Sequence, residues 1–317
     1  MVYEIGCSQM LTPRALRPGD RIGIVAPASA FAREPFEAGV AELRRLGYEP
    51  VYEESVFARQ RYTAGDPAVR AAGFRRAWDD PSISALIAVR GGYGSVQLLP
   101  LLDPAEIRRS PKAFIGYSDN TSLLSWLTQQ CGIISFHGPM LDGRFAKGER
   151  AYDLDTFSRV LTRPEPAGLI SHPRVEALHH GETRGVLLGG TLTNLLASLG
   201  TPYAFDPPAG HILFIDEVAE RPYRIDRMLT QLRLSGLLAR ASGVVFGELP
   251  RCDEPAEGGP AINAVVADLM ADFRGPVLFG LPSGHTDGAC MTLPFGVQAR
   301  VVSRPEPALI IEEAAVS

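Results

Sequence analysis

Ser118 stands in the run FIGYSDNTSLL (114–124), with apolar, strand-like residues before it and a helix-like pattern after it. A serine at such a sharp turn is held out on the carboxyl edge of a sheet, where the first amides of the helix can receive an oxyanion. That is the layout of a nucleophile elbow. Of the G-x-S-x-G pattern Gly116 is present, but Asn120 occupies the last position. A serine followed by aspartate also suits a helix cap, so the residues by themselves allow a nucleophile or a turn residue. Acyl transfer through serine further needs a base and a group that orients it. Of the six histidines, His172, His179 and His180 fall in a polar, proline-rich stretch and His211 opens an apolar run. His137 (SFHGPM) and His285 (GLPSGHTDG) occupy glycine-flanked turns after apolar runs. His285 is the candidate base, and His137 a candidate wall of the site. For the orienting acid, HILFIDE ends in Asp216 and Glu217. Consecutive strand residues face opposite ways, so only one can face a given pocket, and the sequence does not choose between them.

The loop RGGYGSVQ (90–97) follows an apolar run and opens a helical one, but Gln97 stands where G-x-G-x-x-G needs its third glycine. A dinucleotide site is therefore disfavoured. The loop's better use is to bring backbone amides, unobstructed by Cβ atoms, close to a developing oxyanion. Arg90 at its entrance could receive a substrate carboxylate, and Tyr93 sits beside it. No H-E-x-x-H is present and the His179-His180 pair lacks an acid at ligand spacing, so neither a metal nor another cofactor is expected.

Positioning these groups requires alternating elements. RIGIVAPAS (21–29), PVYEESVF (50–57), ISALIAVR (83–90) and KAFIGYSD (112–119) read as strands. Helical patterns at 34–48, around 69–80 and over 95–102 separate them, which predicts a parallel sheet with crossover helices. The stretch TRPEPAGLISHPRVEALHHGE lacks periodicity and reads as a linker at 163–182. It divides an N-terminal domain (14–162) from a C-terminal α/β domain (183–317) richer in β-structure. In the latter TRGVLLGGTLTNLLASLG gives a strand, a Gly-Gly turn and a helix.

With 317 residues, 45% hydrophobic content and a net charge of −5, the chain reads as globular, and its scattered basic residues advertise neither nucleic acid nor a membrane surface. Cys7, Cys131, Cys252 and Cys290 are widely spaced, and MVYEIGCSQML has no basic or hydrophobic leader pattern. Free thiols in a reducing cytoplasm are expected.

In order along the chain, RPGDRIGIVAPAS, AVRGGYGS, FIGYSDNTSLL, RGVLLGGTLTNLLASLGTPY, FIDEVAERPYRIDRMLTQL and GLPSGHTDG resemble the LD-carboxypeptidase family of serine peptidases, which includes the muramoyltetrapeptide carboxypeptidases. The resemblance implies a Ser-His-Glu triad of Ser118, His285 and Glu217, in an active site between the N-terminal domain that carries the nucleophile and the C-terminal domain that carries the acid and base. It implies an oxyanion hole from the backbone amides of Asp119 and of Gly91 or Gly92. It also implies a cofactor-free enzyme, a homodimer, and release of terminal D-alanine from tetrapeptide muropeptides during cell-wall recycling. A related branch hydrolyses peptide-nucleotides of the microcin C type, using an aromatic that stacks on the base. Trp78 and Trp126 both lie outside the linker, which favours the muropeptide branch, with Tyr152 and Phe157 the aromatics that could stack instead. The rival of another class is a non-catalytic two-domain protein holding a small anionic ligand.

Overall fold

Apolar runs such as RIGIV, ISALIA and HILFID are too short for buried helices and are covered on both faces, the signature of strands in a parallel sheet. The computed structural model describes residues 10–253 and 259–317, so Cys7 lies outside the described residues. In chain order the strands are β1 (Arg21–Val25), β2 (Glu49–Val51), β3 (Ile83–Ala88), β4 (Ala113–Gly116), β5 (Ser135–His137), β6 (Pro166–Ile170), β7 (Glu176–His179), β8 (Glu182–Thr191), β9 (His211–Asp216), β10 (Ala241–Gly247), β11 (Val277–Leu281), β12 (Leu293–Phe295), β13 (Gln298–Val302) and β14 (Ala308–Ala314). The α-helices are α1 (Arg33–Arg45), α2 (Pro67–Asp79), α3 (Pro104–Arg108), α4 (Thr121–Gln129), α5 (Leu154–Thr162), α6 (Leu192–Ala197), α7 (Pro222–Leu234), α8 (Leu237–Arg240) and α9 (Ile262–Leu269).

Two sheets result. The first has the order β12-β5-β4-β3-β1-β2, parallel throughout except for β12, which returns from late in the chain to pair antiparallel with β5. The second has the order β6-β14-β13-β8-β9-β10-β11-β7, with a parallel centre of β8 to β11 and antiparallel strands on both sides. This is the expected two-part α/β architecture with more β-structure in the second half.

Four local expectations need correction. β2 ends at Val51, and Glu54–Phe57 is a 3-10 turn rather than more strand. Ser95–Leu101 is also 3-10, because Pro100 within it has no N–H to donate to a longer helix. The segment 163–182 contains β6 and β7, the two edge strands of the second sheet, where proline and polar residues are best tolerated. Gly189 and Gly190 form no turn; β8 passes straight through them. A Cβ at Gly189 would stand 1.9 Å from the Phe214 carbonyl oxygen, and one at Gly190 2.4 Å from Thr121 Cγ2. The pair lets β8 lie against β9 on one side and against α4 of the first half on the other.

Candidate active site

Carboxyl ends of parallel strands from both sheets meet, the usual place for a site in such folds: the Thr191 amide at the end of β8 donates to the Thr121 hydroxyl after β4 at 3.0 Å, and His137 at the end of β5 lies 3.9 Å from Asp216 at the end of β9. At the end of β4 the chain turns through Tyr117 and Ser118 into a 3-10 turn, Ser118–Asn120, that runs on into α4. Ser118 has φ 62, a left-handed conformation that costs a residue with a Cβ about 1–2 kcal/mol. Its neighbours hold it there. The Asn120 side-chain amide donates to the carbonyls of Tyr117 and Arg90, both at 3.2 Å. Asp119 accepts from the Ser95 amide at 2.8 Å, and its carbonyl accepts from the Ser95 hydroxyl at 2.5 Å. Asn120 thus replaces the last glycine of the usual elbow by a side chain that fastens the turn to the glycine loop.

That loop lies directly against the serine. A Cβ at Gly91 would stand 2.7 Å from Ser118 Cβ and 2.9 Å from its Oγ. The Gly91 carbonyl accepts from the Ser29 amide at 3.3 Å, and the Ser29 hydroxyl accepts from the Tyr93 amide at 3.0 Å, so the loop is fixed from behind. Among the described residues the Gly91 and Gly92 amides have no acceptor. The Asp119 amide lies in the first turn of a helix, where N–H groups lack intrahelical partners.

His285 follows β11 in a turn without regular structure, its ring centroid 5.1 Å from that of Tyr117, the residue before Ser118. Its Nδ1 lies 2.7 Å from Asp216 Oδ2, and its backbone amide donates to Asp216 Oδ1 at 3.1 Å. Asp216 is fully buried at the end of β9, with the Thr191 hydroxyl a further donor at 3.4 Å. A carboxylate facing Nδ1 fixes the proton on that nitrogen and leaves Nε2 as the basic one.

Glu217, the expected partner of His285, faces elsewhere. Its Oε2 accepts from the Thr193 amide at 2.9 Å and hydroxyl at 2.7 Å, and its Oε1 from the Val218 amide at 3.0 Å. It caps the start of α6, whose own N-cap residue Thr191 has turned its hydroxyl to Asp216. Burial raises the Glu217 carboxyl above its ordinary range, against the opposing pull of the Thr193 donors. The strand alternation thus divides two consecutive acids between a histidine and a helix end. His137 also departs from expectation, because it is completely buried and cannot line a substrate site. The Ser283 hydroxyl donates to the Met291 carbonyl at 2.9 Å, so it accepts from His137 Nδ1 at 3.1 Å. His137 Nε2 then points to Asp216 Oδ2 from 3.9 Å, behind His285.

Arg90 and Tyr93 remain accessible beside the loop. The Arg90 side chain is 42% exposed and reaches Asp142 only at 3.5 Å, a loose pair in which burial raises the Asp142 carboxyl. Tyr93 is exposed and meets the exposed Tyr62 edge-on at 5.6 Å.

Residues 22–138 match the LD-carboxypeptidase N-terminal domain and residues 184–301 the LD-carboxypeptidase C-terminal domain. The chain belongs to the LD-carboxypeptidase family. It is 38% identical to a putative carboxypeptidase of Streptomyces coelicolor over 92% of this chain and 94% of that one. A crystal structure of muramoyltetrapeptide carboxypeptidase from Oxalobacter formigenes superposes with TM-score 0.82 at 32% identity, covering 93% of this chain and 99% of that one. The microcin C7 self-immunity protein in complex with adenosine monophosphate superposes with TM-score 0.90 at 25% identity, covering 97% and 100%. The LD-carboxypeptidase chain is accordingly a peptidase, and among its described residues no helix is long and apolar enough to cross a membrane.

Proposed function

We propose that the enzyme is a serine carboxypeptidase that releases the terminal D-alanine of tetrapeptide muropeptides, in the cytoplasm and as a homodimer. Ser118 is the nucleophile, His285 the base and Asp216 the acid, in place of the Glu217 that family resemblance implied. The observation that carries this reading is a left-handed Ser118 at the end of β4, next to a Tyr117 whose ring lies 5.1 Å from that of His285, and a His285 Nδ1 already bonded to a buried carboxylate.

In this mechanism His285 Nε2 takes the Ser118 proton as the hydroxyl attacks the amide carbonyl. Asp216 stabilises the imidazolium, and the amides of Asp119 and Gly91 or Gly92 hold the oxyanion. The imidazolium then returns the proton to the departing D-alanine nitrogen. Water, deprotonated by the same Nε2, releases the acyl group. Arg90, half free of Asp142, receives the substrate's terminal carboxylate.

The experiment is incubation with a D-alanine-ending tetrapeptide, alongside Ser118→Ala, reading tripeptide and free D-alanine by mass spectrometry. Serine-dependent release supports the reading; a folded wild-type enzyme that releases nothing overturns the substrate. The alternative, a peptide-nucleotide substrate, is supported by the closer superposition on the microcin self-immunity protein. Against it, Tyr152 and Phe157 are buried and unable to stack on a base.

A further inference from the structure

Arg144 lies between β5 and α5, in the first half of the chain, and only 8% of it is exposed. A buried guanidinium ordinarily neutralises a carboxylate. Arg144 instead spends its five N–H donors on backbone carbonyls and one phenol. Nη2 donates to the carbonyls of Gly284 at 2.8 Å and Thr286 at 2.9 Å, and Nη1 to those of Gly288 at 3.1 Å and Ala151 at 3.3 Å. Nε donates to the Tyr117 hydroxyl at 3.3 Å.

Three of the four carbonyls belong to the turn 284–288, whose second residue is His285. The turn has no regular secondary structure, and Gly284 at its start has φ 74. Its carbonyls therefore point inward without strand or helix partners, and the planar fork of Arg144 supplies their donors. The remaining contact, Tyr117, immediately precedes Ser118 and also packs its ring against His285. One cation from the first half thus grips the backbone on both sides of the base and reaches the residue next to the nucleophile.

We propose that Arg144 is a positioning residue for catalysis: it sets the place of the His285 turn, carried by the second half of the chain, relative to Ser118, carried by the first. The inference rests on the reading of Ser118 and His285 as nucleophile and base, but not on the identity of the peptide substrate. A lysine keeps the charge but not the fork, so it cannot hold Gly284, Thr286 and Gly288 together.

The test follows the rate at which a fluorophosphonate labels Ser118 across pH in the full-length wild type, Arg144→Lys, Arg144→Ala and Tyr117→Phe, with thermal unfolding of each. Displacement of a catalytic group by about an ångström costs roughly a hundredfold in rate, so folded Arg144→Lys and Arg144→Ala are expected to label about 100-fold more slowly. On peptide, kcat falls while KM stays within about threefold, as expected when positioning rather than binding is lost. Added guanidinium at millimolar concentration is expected to restore labelling of Arg144→Ala about tenfold and to leave the wild type unchanged, a rescue that a purely structural role does not predict. Tyr117→Phe keeps the buried ring and removes one weak contact, so it folds and labels about three- to tenfold more slowly. Arg144 variants that fold and label within twofold of wild type overturn the proposal, as does wild-type labelling in Tyr117→Phe should neither Arg144 variant fold. A wild type that labels yet leaves the tetrapeptide intact sinks the substrate assignment alone.

Discussion

Gly91 approaches Ser118 so closely that a single added methyl group would lie 2.9 Å from the serine oxygen and 2.7 Å from its Cβ. Side chains hold the backbone of both partners: Ser29 and Asp119 accept from the Tyr93 and Ser95 amides of the glycine loop, and Asn120 donates to the Tyr117 carbonyl beside the serine. Neither can retreat without breaking the other's support. Gly91→Ala is therefore expected to lower kcat/KM by about 100-fold or more, the scale of losing an oxyanion donor. Circular dichroism and unfolding temperature check that the fold survives, and wild-type activity in this variant would contradict the placement of the loop.

The left-handed backbone at Ser118 has a thermodynamic consequence. Glycine adopts φ 62 freely, so Ser118→Gly is expected to stabilise the folded protein by about 1 kcal/mol while abolishing turnover. Ser118→Ala keeps a Cβ in the same conformation and gains nothing comparable. Chemical denaturation of the two variants side by side measures the difference, which an unstrained turn would not produce.

His137 makes stability depend on pH. Burial is the main cause that lowers it to about 4, with neighbouring His285 adding to the effect and Asp216 opposing it. The unfolded chain therefore binds a proton that the folded one refuses between about pH 6.5 and pH 4, and the contribution of neutral His137 is complete above that window and lost as pH falls through it. His211, also lowered to about 4, acts in the same direction. His137→Gln is expected to reduce the rise of unfolding free energy with pH in this window by at most about 1.4 kcal/mol per pH unit, one proton's worth. Urea unfolding at several pH values reads it. An unchanged slope would mean that His137 is protonated in the folded protein.

The parallel strands, the elbow and both glycine-flanked histidines were legible because each is local: an apolar run, a turn residue, a helix pattern. What the sequence hid depends on contacts across the fold. The strands β6 and β7 look like linker because they sit at sheet edges, where alternation is weak and proline is tolerated. Gly189 and Gly190 look like a turn, yet they serve the close approach of β8 to Phe214 and Thr121. His137 looks like His285 in its setting, and the two are separated by burial and by the group that faces Nδ1, Ser283 for His137 and Asp216 for His285. Alternation along β9 announced that Asp216 and Glu217 must diverge, and the choice between them fell to the α6 terminus, whose Thr193 amide and hydroxyl take Glu217.

That divergence supplies the most direct measurement of the account. Asp216→Asn and Glu217→Gln are compared for kcat on the cleaved peptide and for unfolding free energy. Loss of the carboxylate that fixes the tautomer of His285 is expected to lower kcat by about a thousandfold or more in Asp216→Asn. Glu217→Gln loses a charged acceptor at the start of α6, costing about 1–3 kcal/mol of stability with kcat within about fivefold of wild type. The opposite pattern, a catalytically inert Glu217→Gln and an active Asp216→Asn, would contradict the assignment of Asp216 as the acid that orients His285.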